Sequence, residues 1–160
     1  MADSTWTAKG CLLVGGEGNY RLLIVGANRA FLDPSGTREE FRLAGAFSID
    51  QQLGETFGVF LRIGWQSDRA AVNYDAIYSG GLNIFGGAWG RENDNIGLAY
   101  GYLNGGNQDL RGTHVAEVYY RLAATEHFGL TVDAQYMFDG LRTGGGPRGV
   151  ILGLRATIEY

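Results

Sequence analysis

Arg42, Arg62, Asp75, Glu117, Tyr119, Arg121, Asp133 and Arg155 are the side chains in this sequence best equipped to touch a polar small molecule. Each stands in a segment where apolar residues alternate with polar residues and glycine. Guanidinium forks donate, carboxylates accept and a phenol offers a flat ring. The set could hydrogen-bond a hydroxyl-rich solute, or its members could bridge one another in a charge network. No active site accompanies them. His114 and His127, the only histidines, have no cysteine or carboxylate at metal-ligand spacing. "GGEGN" (15–19) and "GGNQDLRG" (105–112) carry no phosphate-loop lysine and open no helix, so they read as turns. "GTH" (112–114) offers no nucleophile with a base and an orienting acid. Glu117 and Asp133 facing each other across strands would be a conceivable glycosidase pair, but an arginine-balanced network accounts for them more simply. The expectation is no enzyme, no cofactor and no metal.

The elements that position these residues have a period of two. "YRLLIVGANRAF" (20–31) follows "TWTAKGCLLV" (5–14) across a tight glycine turn. "EFRLAGAFSID" (40–50) sets Phe41, Leu43, Phe47 and Ile49 against Arg42, Ser48 and Asp50. "FGVFLRIGWQS" (57–67), "YDAIYSGGLNIFG" (74–86) and "NIGLAYGYLN" (95–104) alternate in the same way, as do "HVAEVYYRLAA" (114–124), "LTVDAQYMF" (130–138) and "GVILGLRATIEY" (149–160). These are nine candidate strands, and no helix is expected. Short links (53–56, 125–129) alternate with longer polar ones (32–39, 68–73, 105–112, 140–147). The exception is 86–94, which is long where a short link is due.

Composition agrees with one all-β domain over residues 1–160, with 5–14 its least certain element. Glycine is abundant (27) and proline scarce (2), which suits strands and bends rather than a disordered linker. A net charge of −4 argues against a nucleic-acid partner. The lone Cys11 excludes an intramolecular disulfide and reads as a small apolar filler. No run of 18 apolar residues provides a transmembrane helix. "MADSTWTAKG" has no signal-peptide pattern, so a mature or recombinant form is expected.

Amphipathic strands fit two architectures. A soluble sandwich or barrel turns its apolar face inward, whereas a membrane barrel turns it to lipid. Three features favour the second. The polar face mixes arginine, carboxylates and glycine, with almost no lysine, which suits a confined lumen, although a solvated face with salt bridges remains open. Trp6, Tyr20, Phe57, Trp65, Tyr74, Tyr102, Tyr120, Phe138 and Tyr160 lie near strand ends on the apolar side. That is the placement of membrane-interface aromatics, although rings can also close a soluble barrel. Finally, the last strand alternates to a terminal aromatic, Tyr160, as the insertion signal of bacterial outer-membrane barrels does.

"EGNYRLLIVGANRAF", "FSIDQQLGETFGVFLRIGWQ", "DNIGLAYGYLNGG", "HVAEVYYRLAATEHFGLTVDAQYMFD" and "GVILGLRATIEY" together resemble the carboxyl-terminal half of bacterial carbohydrate-selective porins, from Trp6 to Tyr160. The resemblance implies an antiparallel up-and-down transmembrane β-barrel of the bacterial outer membrane that passes sugars or other small solutes by passive diffusion. Members are about twice as long, with sixteen strands and a secretion signal, and this chain departs on both counts. About eight strands close a barrel filled by side chains, and complete bacterial barrels have an even number. The expectation is a closed barrel of about eight strands with little or no open pore, in a half-length or engineered form. The alternatives are a soluble β-barrel binding an apolar ligand and a non-conducting membrane barrel. Membrane lipids and small solutes are the expected partners, and a homo-oligomer is compatible with this reading.

Overall fold

The nine alternating segments form nine strands in a single antiparallel sheet whose spatial order is the sequence order. They are β1 (Ala2–Lys9), β2 (Gly18–Leu32), β3 (Glu39–Leu53), β4 (Phe57–Gln66), β5 (Tyr74–Phe85), β6 (Asn95–Gly105), β7 (Leu110–Ala123), β8 (Phe128–Leu141) and β9 (Arg148–Ile158). The computed structural model describes residues 2–9 and 16–158, and for 2–9, Arg29 and Ala30 it describes the backbone alone. Cys11, the 10–14 end of the first predicted segment, the side chain of Trp6, and Glu159 and Tyr160 lie outside the described residues or atoms.

Register sorts the side chains into two faces, because successive residues of a strand point to opposite sides. One row runs Phe47, Ile63, Tyr78, Tyr102, His114, Phe138 and Arg148. A second, two residues further along each strand, runs Ile49, Leu61, Gly80, Tyr100, Ala116, Tyr136 and Val150. These rows belong to the apolar face. The intervening positions form the polar face, including the row Gly58, Asn83, Gly97, Tyr119, Asp133 and Gly153.

Among the described residues no second layer covers either face, and the substantial contacts run between consecutive strands. Among the described residues the buried apolar side chains are Ala70 and Val72 alone, and both lie in a loop. Phe57, Leu61, Ile63 and Leu152, which a soluble barrel would bury, are 37–78% exposed. The sheet is held by its ladders and cross-strand pairs, not by a core of its own.

The sheet is also open. β1 pairs with β2 and β9 with β8, and among the described residues no ladder joins β1 to β9. The anticipated closure by about eight strands is therefore not what this chain forms. An antiparallel meander of nine has its two edge strands running the same way, so they cannot complete an antiparallel seam. The first segment, expected at 5–14 and doubted from the sequence, takes part over its described residues as β1, Ala2–Lys9.

At one end of the sheet the links interlock, and this end is called the loop side below. Asp33 organises 33–38 by accepting from the Ser35 hydroxyl and the Thr37 and Arg38 amides. These donors hold its carboxyl at about 2, with the Ser35 hydroxyl the largest cause. The next link, 67–73, is tied outward instead. Ala71 N–H donates to Leu32 O, and Asn107 grips the segment through Val72 N–H and the carbonyls of Asp68 and Ala70. Arg142 then reaches back to the carbonyls of Gly106 and Gln108.

The opposite, turn side has tight links, such as 54–56 with Gly54 at φ 65°, and one long link. That link contains a 3-10 turn, Gly86–Trp89, and closes on Asp94. The Asp94 carboxylate is almost fully buried and accepts from Arg91 Nε at 2.5 Å, from Ala123 N–H at 2.8 Å and from the Tyr120 hydroxyl. The Arg91 hydrogen bond, aided by Tyr120 and Ala123 against the cost of burial, lowers its carboxyl to about 2. This hub explains why the link is long where its counterparts are short.

Candidate functional site

The polar face carries the groups able to meet a solute, and its glycines explain how they lie. A Cβ added to Gly97 would stand 2.7 Å from Tyr119 Cδ1 and closer still to Cε1 and Cζ, so the phenol lies flat against the Gly97 backbone. Its hydroxyl donates to Asn83 Oδ1 at 3.2 Å. A Cβ on Gly153 would fall 2.7 Å from the Asp133 Cγ, so that carboxylate likewise rests on bare backbone. Phe60 lies over Gly81 in the same manner. Glycine weakens a strand by itself, and here each one makes room for the large neighbour across the ladder. The result is a wall on which two rings and a carboxylate lie down rather than stand up.

Three groups of contacts organise the rest of the wall. Asp50 sits between two arginines, 2.7 Å from Arg21 NH1 and 2.9 Å from Arg62 NH2. Arg62 in turn stacks over Phe60, its guanidinium carbon 4.4 Å from the ring centre. Nearer the loops, Arg42 donates through Nε to Gln66 Oε1 at 2.9 Å and lies 4.8 Å over the Phe31 ring. At the turn side, Arg121 and Arg155 are both cross-strand partners of Thr131. Beside them a polar cavity of about 350 Å³ is lined by Asn93, Arg121, Thr125, His127 and Thr157 among others. Ion pairs this exposed contribute little stability, on the order of 0–1 kcal/mol each. Their effect is to set the charge pattern along the wall.

The placement of the sequence-derived residues follows. Arg42, Arg62, Glu117, Tyr119, Arg121, Asp133 and Arg155 occupy polar-face positions. Glu117 stands opposite Gln135 and Asp133 opposite Tyr119, so the two carboxylates are diagonal rather than paired. Of the aromatics that the sequence suggests for a membrane interface, Trp65, Tyr102 and Phe138 lie on the apolar face toward the loops and Tyr120 toward the turns, where Trp89 approaches it with ring centres 6.5 Å apart.

Tyr74 and Asp75 exchange the sides that plain alternation gives them. Tyr74 pairs with Gly105 and Ala76 with Asn104, so Asp75 is the extra residue of a bulge. The Tyr74 hydroxyl accordingly lies 3.4 Å from Thr113 Oγ1, and Thr113 hydrogen-bonds Asp139 on the polar face. Asp75 instead accepts from Asn104 Nδ2 at 2.7 Å, and Asn104 accepts from Tyr102 of the apolar face.

Arg21, Asp50 and Phe60 belong to the wall and escaped the sequence-derived set. Asp50 was on the right face by alternation, but its two arginines come from the flanking strands. Only register brings the three together.

Among the described residues no group of three His, Cys, Asp or Glu side chains converges to hold a metal ion. No helix among the described residues is long and apolar enough to cross a membrane, which leaves crossing by strands untouched.

The model of one protein family, described as carbohydrate-selective porin, OprB family, matches residues 19–160. Among solved structures, the high-pH structure of Pseudomonas putida OprB matches with a TM-score of 0.73 at 18% identity. The match covers 98% of this chain and 47% of that one, so the chain spans about half the length of the solved protein. No curated protein matches the sequence.

Proposed function

The chain belongs to the carbohydrate-selective porin OprB family, and from that premise we propose that its sheet is a wall of an outer-membrane channel through which sugars or similar small solutes diffuse. The apolar face meets lipid and the polar face lines the aqueous path, inverted relative to a soluble barrel. One observation carries the reading. A continuous apolar face has no partner layer, while the other face lays Tyr119, Asp133 and Phe60 flat on glycine and pairs arginines with Asp50. Strand length agrees: eleven residues, as in β9, tilted by roughly 40° cross about 25 Å of apolar band.

In this reading the loop side faces outward and the turn side faces the periplasm, as short periplasmic turns require. Open backbone edges do not persist in hydrocarbon, so the wall continues at β1 and β9 in the closed barrel. A hydroxylated solute moving along it meets the flat faces of Tyr119 and Phe60, with Asn83, Asp133, Glu117 and Gln135 as hydrogen-bonding partners. Arg62, with Arg21, holds the Asp50 carboxylate and Arg42 holds the Gln66 carboxamide, while Arg121 and Arg155 place positive charge at the turn-side end of the path. None of these contacts needs to be tight, because conduction requires release as readily as entry.

Planar-bilayer recording tests the proposal. Discrete conductance steps that are transiently blocked by added oligosaccharide, with block weakened several-fold in Tyr119→Ala, are the expected result. Bilayers that stay silent with folded protein, or a protein that remains a monodisperse monomer in water without detergent, would overturn it.

A further inference from the structure

The apolar face is not uniform. Across β5–β9 it sinks into a groove of about 730 Å³ whose lining includes Gly80, Tyr100, Ala116, Ala134, Tyr136 and Val150. Above its loop-side end runs the row Tyr102, His114, Phe138 and Arg148. His114 is wedged among rings, 4.8 Å from the centre of Tyr102 and 6.1 Å from that of Phe138, and its Nδ1 is 2.6 Å from the Tyr100 hydroxyl. Arg148 ends the row, is exposed, and makes no hydrogen bond or ion pair among the described residues. An arginine on a lipid-facing side, with apolar rows below it and water above, directs its guanidinium to the headgroup level. Neither the sugar path nor the wall's ion pairs use it.

We propose that this groove holds one acyl chain of a net-anionic, phosphate-bearing lipid of the loop-side leaflet, with the phosphate on Arg148 beside the His114 ring cluster. The lining is mainly apolar and offers length and depth for a chain, and the Tyr100 hydroxyl is taken up by His114. Among the described residues the charge that ends this row, Arg148, is positive and uncommitted, which selects a net-anionic headgroup over a zwitterionic one. A guanidinium suits the purpose because its fork pairs two phosphate oxygens at once. The inference rests on the membrane-wall reading above, and the test separates the two.

The experiment is native mass spectrometry of the detergent-solubilised protein with equimolar dimyristoyl phosphatidylglycerol and dimyristoyl phosphatidylcholine. The first retained lipid should be phosphatidylglycerol, by on the order of fivefold, the factor one arginine near an anionic surface supplies. Arg148→Gln should bring the ratio to about one, whereas Arg148→Lys should keep most of the preference. Ala116→Phe, which fills the groove, should lose retained lipid of both kinds. Equal retention by the unaltered protein, or an unchanged ratio in Arg148→Gln, would overturn the proposal. So would a protein detected as two copies that Ala116→Phe separates, because the groove would then hold a second copy. A protein that stays folded in water and retains neither lipid would overturn the membrane-wall reading itself. Equal retention of both lipids would overturn only the anionic site.

Discussion

Gly97→Ala is the substitution that most directly probes how the wall is built. The new Cβ would arise 2.7 Å from Tyr119 Cδ1, against an ordinary carbon–carbon contact of about 3.5 Å. The ring must therefore recede by on the order of 1 Å at that atom and by more at its far edge. Such overpacking costs about 1–3 kcal/mol, partly offset by the roughly 0.5–1 kcal/mol by which alanine outperforms glycine in a strand. With Tyr119→Ala already in place the clash is gone and only the second effect remains. Gly97→Ala should then stabilise. The sign reversal amounts to a coupling of about 1–3 kcal/mol between two residues that face each other in the ladder. Urea unfolding of the four proteins in detergent micelles, followed by tryptophan fluorescence, measures it. If Gly97→Ala costs the same in both backgrounds to within about 0.5 kcal/mol, the ring does not rest on Gly97 and the account of these glycines fails.

Other expectations concern the two faces and the turn side. Leu152→Arg puts a charge near mid-strand on the lipid side and should destabilise the barrel by about 2–4 kcal/mol in bilayers. Its neighbour Ile151→Arg, on the polar face, should cost less than about 1 kcal/mol. Equal costs in reversible unfolding would contradict the facial assignment. Asp94 has a folded-state carboxyl at about 2, below its unfolded value of about 3.9. Its contribution is thus complete above about pH 4 and is lost as pH falls toward 2. Acid titration of stability should show that loss in the native protein, and Asp94→Asn should show a smaller one, left by the other depressed carboxyl, Asp33. Asp50→Asn removes the carboxylate between Arg21 and Arg62. Reversal potentials across a salt gradient should shift toward anion preference, and a shift toward cations would refute this wall as the lining of the path.

The strands were legible because each has one apolar and one polar face, so its residues must alternate plainly, and these do. β4 and β5 begin where the pattern puts them, and β3 and β7 run only a few residues beyond. What alternation could not give is anything set by a neighbouring strand. Asp75 broke the pattern because a bulge inserts one residue, and the sequence around it, Tyr74–Ala76, carries no glycine or proline to mark the place. Polar-face glycines were visible as an oddity. Their reason, Tyr119 on Gly97 and Asp133 on Gly153, needed the register. Closure was misjudged for a similar reason. Counting strands says how many there are, whereas direction and edge pairing decide whether the first can meet the last.

The two loop-side links before β5 differ in what they allow the chain to become. Residues 33–38 satisfy their bonds internally around Asp33, so residues added at Ser35 or Gly36 would leave every neighbour as it was. Residues 67–73 are spaced against three separate partners: Leu32, Asn107 and Gly106. One residue added there would put Ala71, Val72 and Asn73 out of step at once. Length variation is thus tolerated by the first link and barred from the second, where a single carboxamide, Asn107, in effect counts the residues.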